Sequence, residues 1–329
     1  MGKKNVSLKT IARECGVSIN TVSHALRDMD DISSKTKSRI RTKAIELGYM
    51  PNHISMNVKV NEKPSVGFLT NSFDNLYYNL VCKELATLFE ESGEFDFSLL
   101  YTFNQIYLTE TDIKQCILQR IDLIISHLPP STDAIEMATL NNIDIVTLGS
   151  INESDICDNI SIDNEMGCVL AAKYLLNFHT NDKYVYVGID YFLSDKRFEM
   201  FKSELINEGY DDLLYFNATS GDILTLYGYI QQGYRSIFFY NDYTAYKILN
   251  QLDELAIDIR RLYPDLHIIG FDGLCASVYG LRDITSIKMD FKEYAKQTYL
   301  VIKNRLDNPK APPQSVVLPV YIHQRKKKE

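Results

Sequence analysis

The residues of this 329-residue chain that could do chemistry on a small molecule stand at the ends of short apolar runs, where open α/β sheets hold their ligands. Asn71 to Tyr78 follows the run SVGFLT, Asp163-Asn164 lies at the end of DNISID, and Asp190 to Arg197 lies at the end of the strand read from Lys183 to Asp190. Asn241-Asp242 closes SIFFYND, and Phe271-Asp272 lies near the end of HIIGFDG. A fixed guanidinium and one or two carboxylates give and accept paired hydrogen bonds to neighbouring hydroxyls, while an aromatic face covers the apolar side of a sugar ring. Arg197, Asn241 and Asp272 lead on that chemistry. Each has a plainer reading. Asp163, Asp242 and Asp272 could cap the helices that follow them, and Arg197 could form a surface salt bridge. Tyr77, Tyr78, Tyr191 and Phe192 fit core packing as well as a ligand wall.

A second set could read nucleic acid. Ser7 to Leu26, SLKTIARECGVSINTVSHAL, has two short helical stretches with proposed N-caps at Ser7 and Ser18. Ile11, Ala12, Val17, Val22 and Leu26 fall at the three- and four-residue steps of a buried face. Gly16 suits the left-handed corner between them. That is a helix-turn-helix, and the outward positions of its second helix, Ile19, Asn20, Thr21, Ser23, His24 and Arg27, include no acid. A third helix runs from a cap at Ser33 to Gly48, with Ile40, Ala44 and Leu47 on its inner side.

The ordered run Leu8-Lys9, Ile11-Ala12, Gly16-Val17-Ser18, Thr21-Val22-Ser23, Leu26, then Leu47-Gly48-Tyr49 and Pro51-Asn52 resembles the opening of the LacI/GalR repressors. The resemblance implies DNA contacts from Ser7, Lys9, Ser18, Ile19, Asn20, Thr21, Ser23, His24 and Arg27. Asn52, Ile54 and Val58 would follow in a hinge that folds on specific DNA and wedges open the minor groove. Ser55, Met56 and Val58 stand where that family's hinge usually has Ala, Arg and Leu. In the body, Phe73, Asn75 and Tyr77 are similar to the family's first ligand loop, Ser194 and Arg197 to its "S..R" element, Asn241-Asp242 to its "ND" pair, and Phe271-Asp272 to its "GFDD" motif, with Gly273 in the last place. With Asp163, these give the expected effector site.

From Ser65 onward, apolar β-rich runs alternate with helical stretches and the pattern restarts near Glu165, as in two doubly wound parallel sheets. The fold class expected is α/β: a small all-α helix-turn-helix head, then two subdomains resembling the type I periplasmic-binding-protein fold, with a ligand cleft between them. Boundaries fall at 1–50 for the head, 51–64 for the hinge and 65–329 for an effector-binding and dimerisation domain. Its first subdomain takes about 65–162 plus 290–322, and the second about 163–289. The last helix and SVVLPVYIH, read as one strand, would return to the first subdomain.

Charge agrees with a DNA-binding head. Residues 1 to 60 carry net +6 and the remainder net −14, against −8 overall. Six scattered cysteines, with no CxxC pair and no His cluster beside them, read as reduced and mostly buried, so neither metal nor cofactor is expected. No signal peptide or membrane-length apolar run is present, which makes the cytoplasm the default location. No G-x-S-x-G, P-loop, HExxH or GxGxxG supports an enzyme. The expectation is a homodimeric, sugar- or sugar-phosphate-responsive repressor on a near-palindromic operator. A regulator set by a phosphorylated partner protein, and a sugar-processing enzyme with a DNA-binding head, are the alternatives.

Overall fold

The computed structural model describes residues 7–26, 29, 31–47, 49, 63–72, 75–103, 106–149, 156–178, 183–277 and 283–325. Three helices make the head: α1 (Leu8–Cys15), α2 (Ile19–Leu26) and α3 (Ser34–Glu46). Each begins where a hydroxyl replaces the missing backbone acceptors. Ser7 Oγ accepts from Thr10 N and the Thr10 hydroxyl answers to Ser7 N, a reciprocal box; Ser18 Oγ accepts from Thr21 N at 3.0 Å and Ser33 Oγ from Thr36 N at 3.3 Å. Gly16 ends α1 at φ 63°, in the left-handed region. Ile11, Ala12, Val22, Ala25, Leu26, Ile40 and Ala44 form the buried core, closed by Leu8, Val17, Ile32, Leu47 and Tyr49. Arg39 donates to the Cys15 carbonyl, tying α3 to the end of α1.

The remainder contains two six-stranded sheets built to one plan. In the first, β1 (Ser65–Thr70), β2 (Asp96–Tyr101), β3 (Leu123–Ser126), β4 (Asp144–Leu148), β5 (Asp158–Ile162) and β11 (Ser315–Leu318) lie in the order β2-β1-β3-β4-β5-β11. In the second, β6 (Tyr184–Gly188), β7 (Leu213–Asn217), β8 (Ser236–Phe239), β9 (His267–Asp272), β10 (Thr285–Lys288) and β12 (Tyr321–His323) lie in the order β7-β6-β8-β9-β10-β12. The pairs β1·β2, β1·β3, β3·β4, β6·β7, β6·β8, β8·β9 and β9·β10 are parallel, whereas β12 runs antiparallel to β10. Central strands are buried along their whole length, which is why they read as unbroken apolar runs.

The connecting helices are α4 (Leu76–Ser92), α5 (Glu110–Leu118), α6 (Thr132–Leu140), α7 (Asn164–Leu176), α8 (Phe192–Asn207), α9 (Ile223–Gln231), α10 (Asp242–Glu254), α11 (Ile259–Leu262), α12 (Leu274–Ser277) and α13 (Phe291–Asp307). Three of them, α6, α11 and α12, have no counterpart in the sequence reading. SVVLPVYIH is two strands and not one: Pro319 separates β11, in the first sheet, from β12, in the second. By contacts the chain divides into two compact units. One comprises Met1–Ser72, Leu85–Asn159 and Thr298–Gln314, and the other Phe73–Glu84, Ile160–Gln297 and Ser315–Glu329. In the first, the cluster that includes Leu69, Ile113, Ile117, Ile124, Leu128, Met137 and Ile145 is aliphatic, and buried Phe89 packs against Phe95 and Phe97; in the second, Tyr186, Phe201 and Phe238 pack edge-on or tilted ring to ring. No helix among the described residues is long and apolar enough to cross a membrane.

Candidate functional site

The order β7-β6-β8-β9 puts a switch point between β6 and β8, where connections leave the sheet to opposite sides and a crevice opens at the strand ends. Arg197 is there. It projects from the second turn of α8, is 3% exposed, and is fixed by two bonds: Nε to Asn164 Oδ1 at 2.9 Å and Nη1 to the Tyr240 carbonyl at 2.8 Å. Its guanidinium lies 3.6 Å from the centroid of the Phe271 ring and 5.1 Å from that of Tyr240. Phe271 itself sits against α7 at Gly167, where a Cβ would come within 2.6 Å of the ring. Nη2 of Arg197 has no hydrogen-bond acceptor among the described residues.

Asp272, the last residue of β9, is 8% exposed and has φ 106°, a backbone conformation an L residue adopts at a cost. No donor among the described residues reaches its carboxylate. Burial lifts its pKa to about 7, against the opposing pull of Arg197. Tyr77, Tyr78, Tyr191 and Tyr240 surround the pair closely enough to exchange electrostatic influence with Arg197 or Asp272. Burial holds the phenols of Tyr77, Tyr78 and Tyr240 well above their ordinary value, so each is a neutral donor and acceptor. Tyr77 packs edge-on to Tyr78 and Phe291, and Tyr191 to Phe192 and Tyr240. The result is a guanidinium with spare donors, a carboxylate with spare acceptors and a wall of hydroxylated rings.

Other expected ligand residues have local work. Asp163 Oδ1 caps α7 by accepting from Met166 N at 2.8 Å, Asn241 Oδ1 caps α10 through Thr244 N at 2.8 Å, and Asn75 Oδ1 accepts from Tyr77 N at 3.0 Å. Ser194 has local work as well. It is fully buried, and its Oγ accepts from Ile189 N at 3.1 Å, which closes the loop between β6 and α8. Asp242, considered as a cap, instead accepts from Leu274 N and from Ser286 Oγ, both at 2.7 Å, and so ties α12 and β10 together. Tyr240 and Asn164 hold Arg197, although neither was singled out for it from the sequence. The signal for Asn164 was its place at the end of β5. Tyr240 acts through a backbone carbonyl, which no side chain betrays. Phe73 lies outside the described residues.

In the head, Ile19 and Asn20 are exposed at the start of α2 together with Ser18, Thr21 and Ser23 are half-buried, and Lys9 is exposed on α1. His24 Nδ1 lies 2.6 Å from Asp31 Oδ2, leaving Nε2 as its remaining polar atom. Arg27, Asn52, Ile54 and Val58 lie outside the described residues.

Residues 7–52 match the family model described as bacterial regulatory proteins, lacI family. The HTH-type transcriptional repressor PurR of Vibrio parahaemolyticus is 23% identical over 313 residues, covering 91% of this chain and 92% of that protein. The HTH-type transcriptional regulator MalR of Clostridium butyricum is 24% identical over 305 residues, 88% and 90% of the two chains. Among solved structures, the lac repressor dimer bound to operator and the anti-inducer ONPF superposes with a TM-score of 0.64 at 21% identity, covering 98% of this chain and 99% of that one. A LacI family regulator of Enterococcus faecium with bound ribose gives 0.67 at 19% identity over 79% and 97%. The capped helix pair and these likenesses agree: residues 7–52 form a head of the lacI family of bacterial regulatory proteins, on a chain that is similar over most of its length to DNA-binding transcriptional regulators.

Proposed function

We propose that this protein is a cytoplasmic, homodimeric repressor whose operator binding is set by a sugar or sugar phosphate held at Arg197 and Asp272. One observation carries the reading. A buried guanidinium and a buried carboxylate stand close enough to influence each other, yet neither is saturated by the protein. Ordinary buried charges are paired, because an unpaired one is expensive. A polyol that accepts from Nη2 and donates to Asp272 supplies the missing bonds, and the tyrosines cover its ring. The E. faecium neighbour holds ribose, and a regulator named CelR, with a TM-score of 0.64, holds cellobiose. A site this polar does not suit control by a partner protein alone, which would leave it unused.

The head would dock α2 in the major groove, with Ile19, Asn20 and His24 toward base edges and Lys9, Lys35, Lys37 and Arg39 toward phosphates. Dimerisation has a candidate surface in the first sheet's edge strand β2 and the residues after it, where Leu99, Tyr101, Phe103 and Tyr107 are exposed. The ligand acts by binding one state of the dimer more tightly than the other. Fluorescence anisotropy on DNA selected from a randomised palindromic pool tests the reading. Affinity should fall steeply with salt and change when the sugar is added. Salt-independent binding, or operator binding indifferent to every sugar and sugar phosphate tried, would refute it.

A further inference from the structure

Apart from the effector pole, three side chains with different donor atoms converge near the start of β10. Cys275 rides on α12, the single turn after β9; Asp283 lies two residues before β10; His323 ends β12, in register opposite Ser286 of β10. Their Sγ, carboxylate oxygen and imidazole nitrogen all lie within 4.8 Å of one another, and His323 Nε2 is 3.8 Å from Asp283 Oδ1. Tetrahedral zinc, with bonds of roughly 2.0–2.3 Å, places its ligand atoms about 3.3–3.8 Å apart, so the widest pair needs to close by at most about 1.5 Å.

An independent observation points to the same spot. Tyr246 of α10 is 9% exposed, its hydroxyl meets no nitrogen or oxygen partner among the described residues, and it lies beside Cys275 and close enough to Asp283 to feel its charge. A buried hydroxyl without such a partner calls for an explanation, and a water on a bound ion supplies one. The cluster is reachable. The Asp283 side chain is 46% exposed and that of His323 25%, so an ion can enter and keep a water in its fourth position.

We propose that Cys275, Asp283 and His323 form a zinc site with one open coordination position, clipping the last strand, β12, to the turn after β9. The donor set chooses the metal: one thiolate and one imidazole suit zinc or its surrogate cobalt, and an all-oxygen shell for magnesium or calcium is absent. Binding exchanges one proton for the ion, since the Cys275 thiol releases its hydrogen to solvent as the sulfur–zinc bond forms. His323 binds as the neutral ring. Sequence spacing hides the group, because seven residues separate Cys275 from Asp283 and His323 arrives on another strand.

The test uses the full chain, stripped with a chelator and titrated with cobalt(II) and then zinc. One equivalent of cobalt should bind with a thiolate charge-transfer band and the strong visible bands of a tetrahedral ion, and zinc should displace it. Cys275→Ala should abolish the charge-transfer band, and His323→Ala should weaken zinc binding more than about 100-fold, beyond the usual cost of losing a group that merely supports a ligand. Asp283→Asn should weaken binding with the apo fold unchanged by circular dichroism. A wild-type cobalt spectrum without a thiolate band overturns the proposal whatever the variants do. So does a band that survives Cys275→Ala, or that disappears instead in Cys82→Ala.

Discussion

Two buried arginine–aspartate sets, one in each compact unit, show how a fold treats a charge it needs for itself and a charge it holds for something else. In the first, Arg305 grips Asp158 with two bonds of 2.7 and 2.9 Å, donates further to the carbonyls of Ala311 and Pro312, and shares Asp158 with Gln314 N at 2.7 Å. Every donor and acceptor is spoken for, and the set clasps the end of α13 to β5. In the second, Arg197 is held just as firmly, but by neutral groups, and Asp272 is bonded to nothing among the described residues. Burial is similar in both. Saturation is what separates a clasp from a site that awaits a ligand.

Breaking the clasp should have the largest effect. Asp158→Asn or Arg305→Met leaves one buried charge uncompensated and should cost about 3–5 kcal/mol in denaturant unfolding. A loss below about 1 kcal/mol would erase the contrast. The second set should respond in the opposite sense. The carboxyl of Asp272 has its folded pKa raised from the ordinary 3.8 to about 7, so its contribution to stability is complete below pH ~4 and is lost as pH rises through ~7. Asp272→Asn should therefore be more stable than wild type by a few kcal/mol above pH 7 without ligand, the difference closing toward pH 4. Parallel curves of melting temperature against pH for the two proteins would show that Asp272 is already paired.

The head adds smaller tests. His24 and Asp31 are both partly exposed, and such pairs contribute at most about 1 kcal/mol, so His24 is free to serve recognition. His24→Arg should change base preference at one position per half-site by about 1–3 kcal/mol, as an arginine grips guanine with two bonds. Identical binding logos from selection on randomised DNA would remove His24 from the reading surface. Gly16→Ala has room, with no atom within 4 Å of the added methyl, but must hold φ 63°. It should lower head stability by about 1 kcal/mol, and amide exchange confined to residues 7–47 would report it.

The head was legible because its signals are local: a hydroxyl at each helix start, a glycine at the corner and apolar residues at helical spacing. In the body, the order of the strands came only with the structure, whereas the strands themselves and most helices followed from alternating apolar runs. The nine-residue α6 did not, although Ser131, which accepts from Ala134 N, stands after Pro129-Pro130 as a start signal. At the effector pole, Arg197 and Asp272 stood out by residue type. The roles of Asp163, Asn75 and Asn241 could not be fixed that way, since an Asn or Asp at a strand-to-helix junction serves equally as a cap or as a ligand group. Nor could the anchors of Arg197 be found, because Asn164 and Tyr240 are 33 and 43 residues away in sequence.

The most direct test of the effector site is a thermal-shift screen of pentoses, hexoses, disaccharides and their phosphates on the full chain, repeated on Arg197→Lys, Asp272→Asn and Asp242→Asn. A ligand present at 100 times its dissociation constant adds about 2.7 kcal/mol to the folded state and should raise the melting temperature by several degrees. Arg197→Lys forfeits the two anchoring bonds and the planar stack on Phe271, and Asp272→Asn forfeits the charged acceptor; each should lose the shift, whereas Asp242→Asn, whose carboxylate is committed to Leu274 N and Ser286 Oγ, should keep it. A sugar that shifts wild type, Arg197→Lys and Asp272→Asn equally would place the effector elsewhere in the molecule.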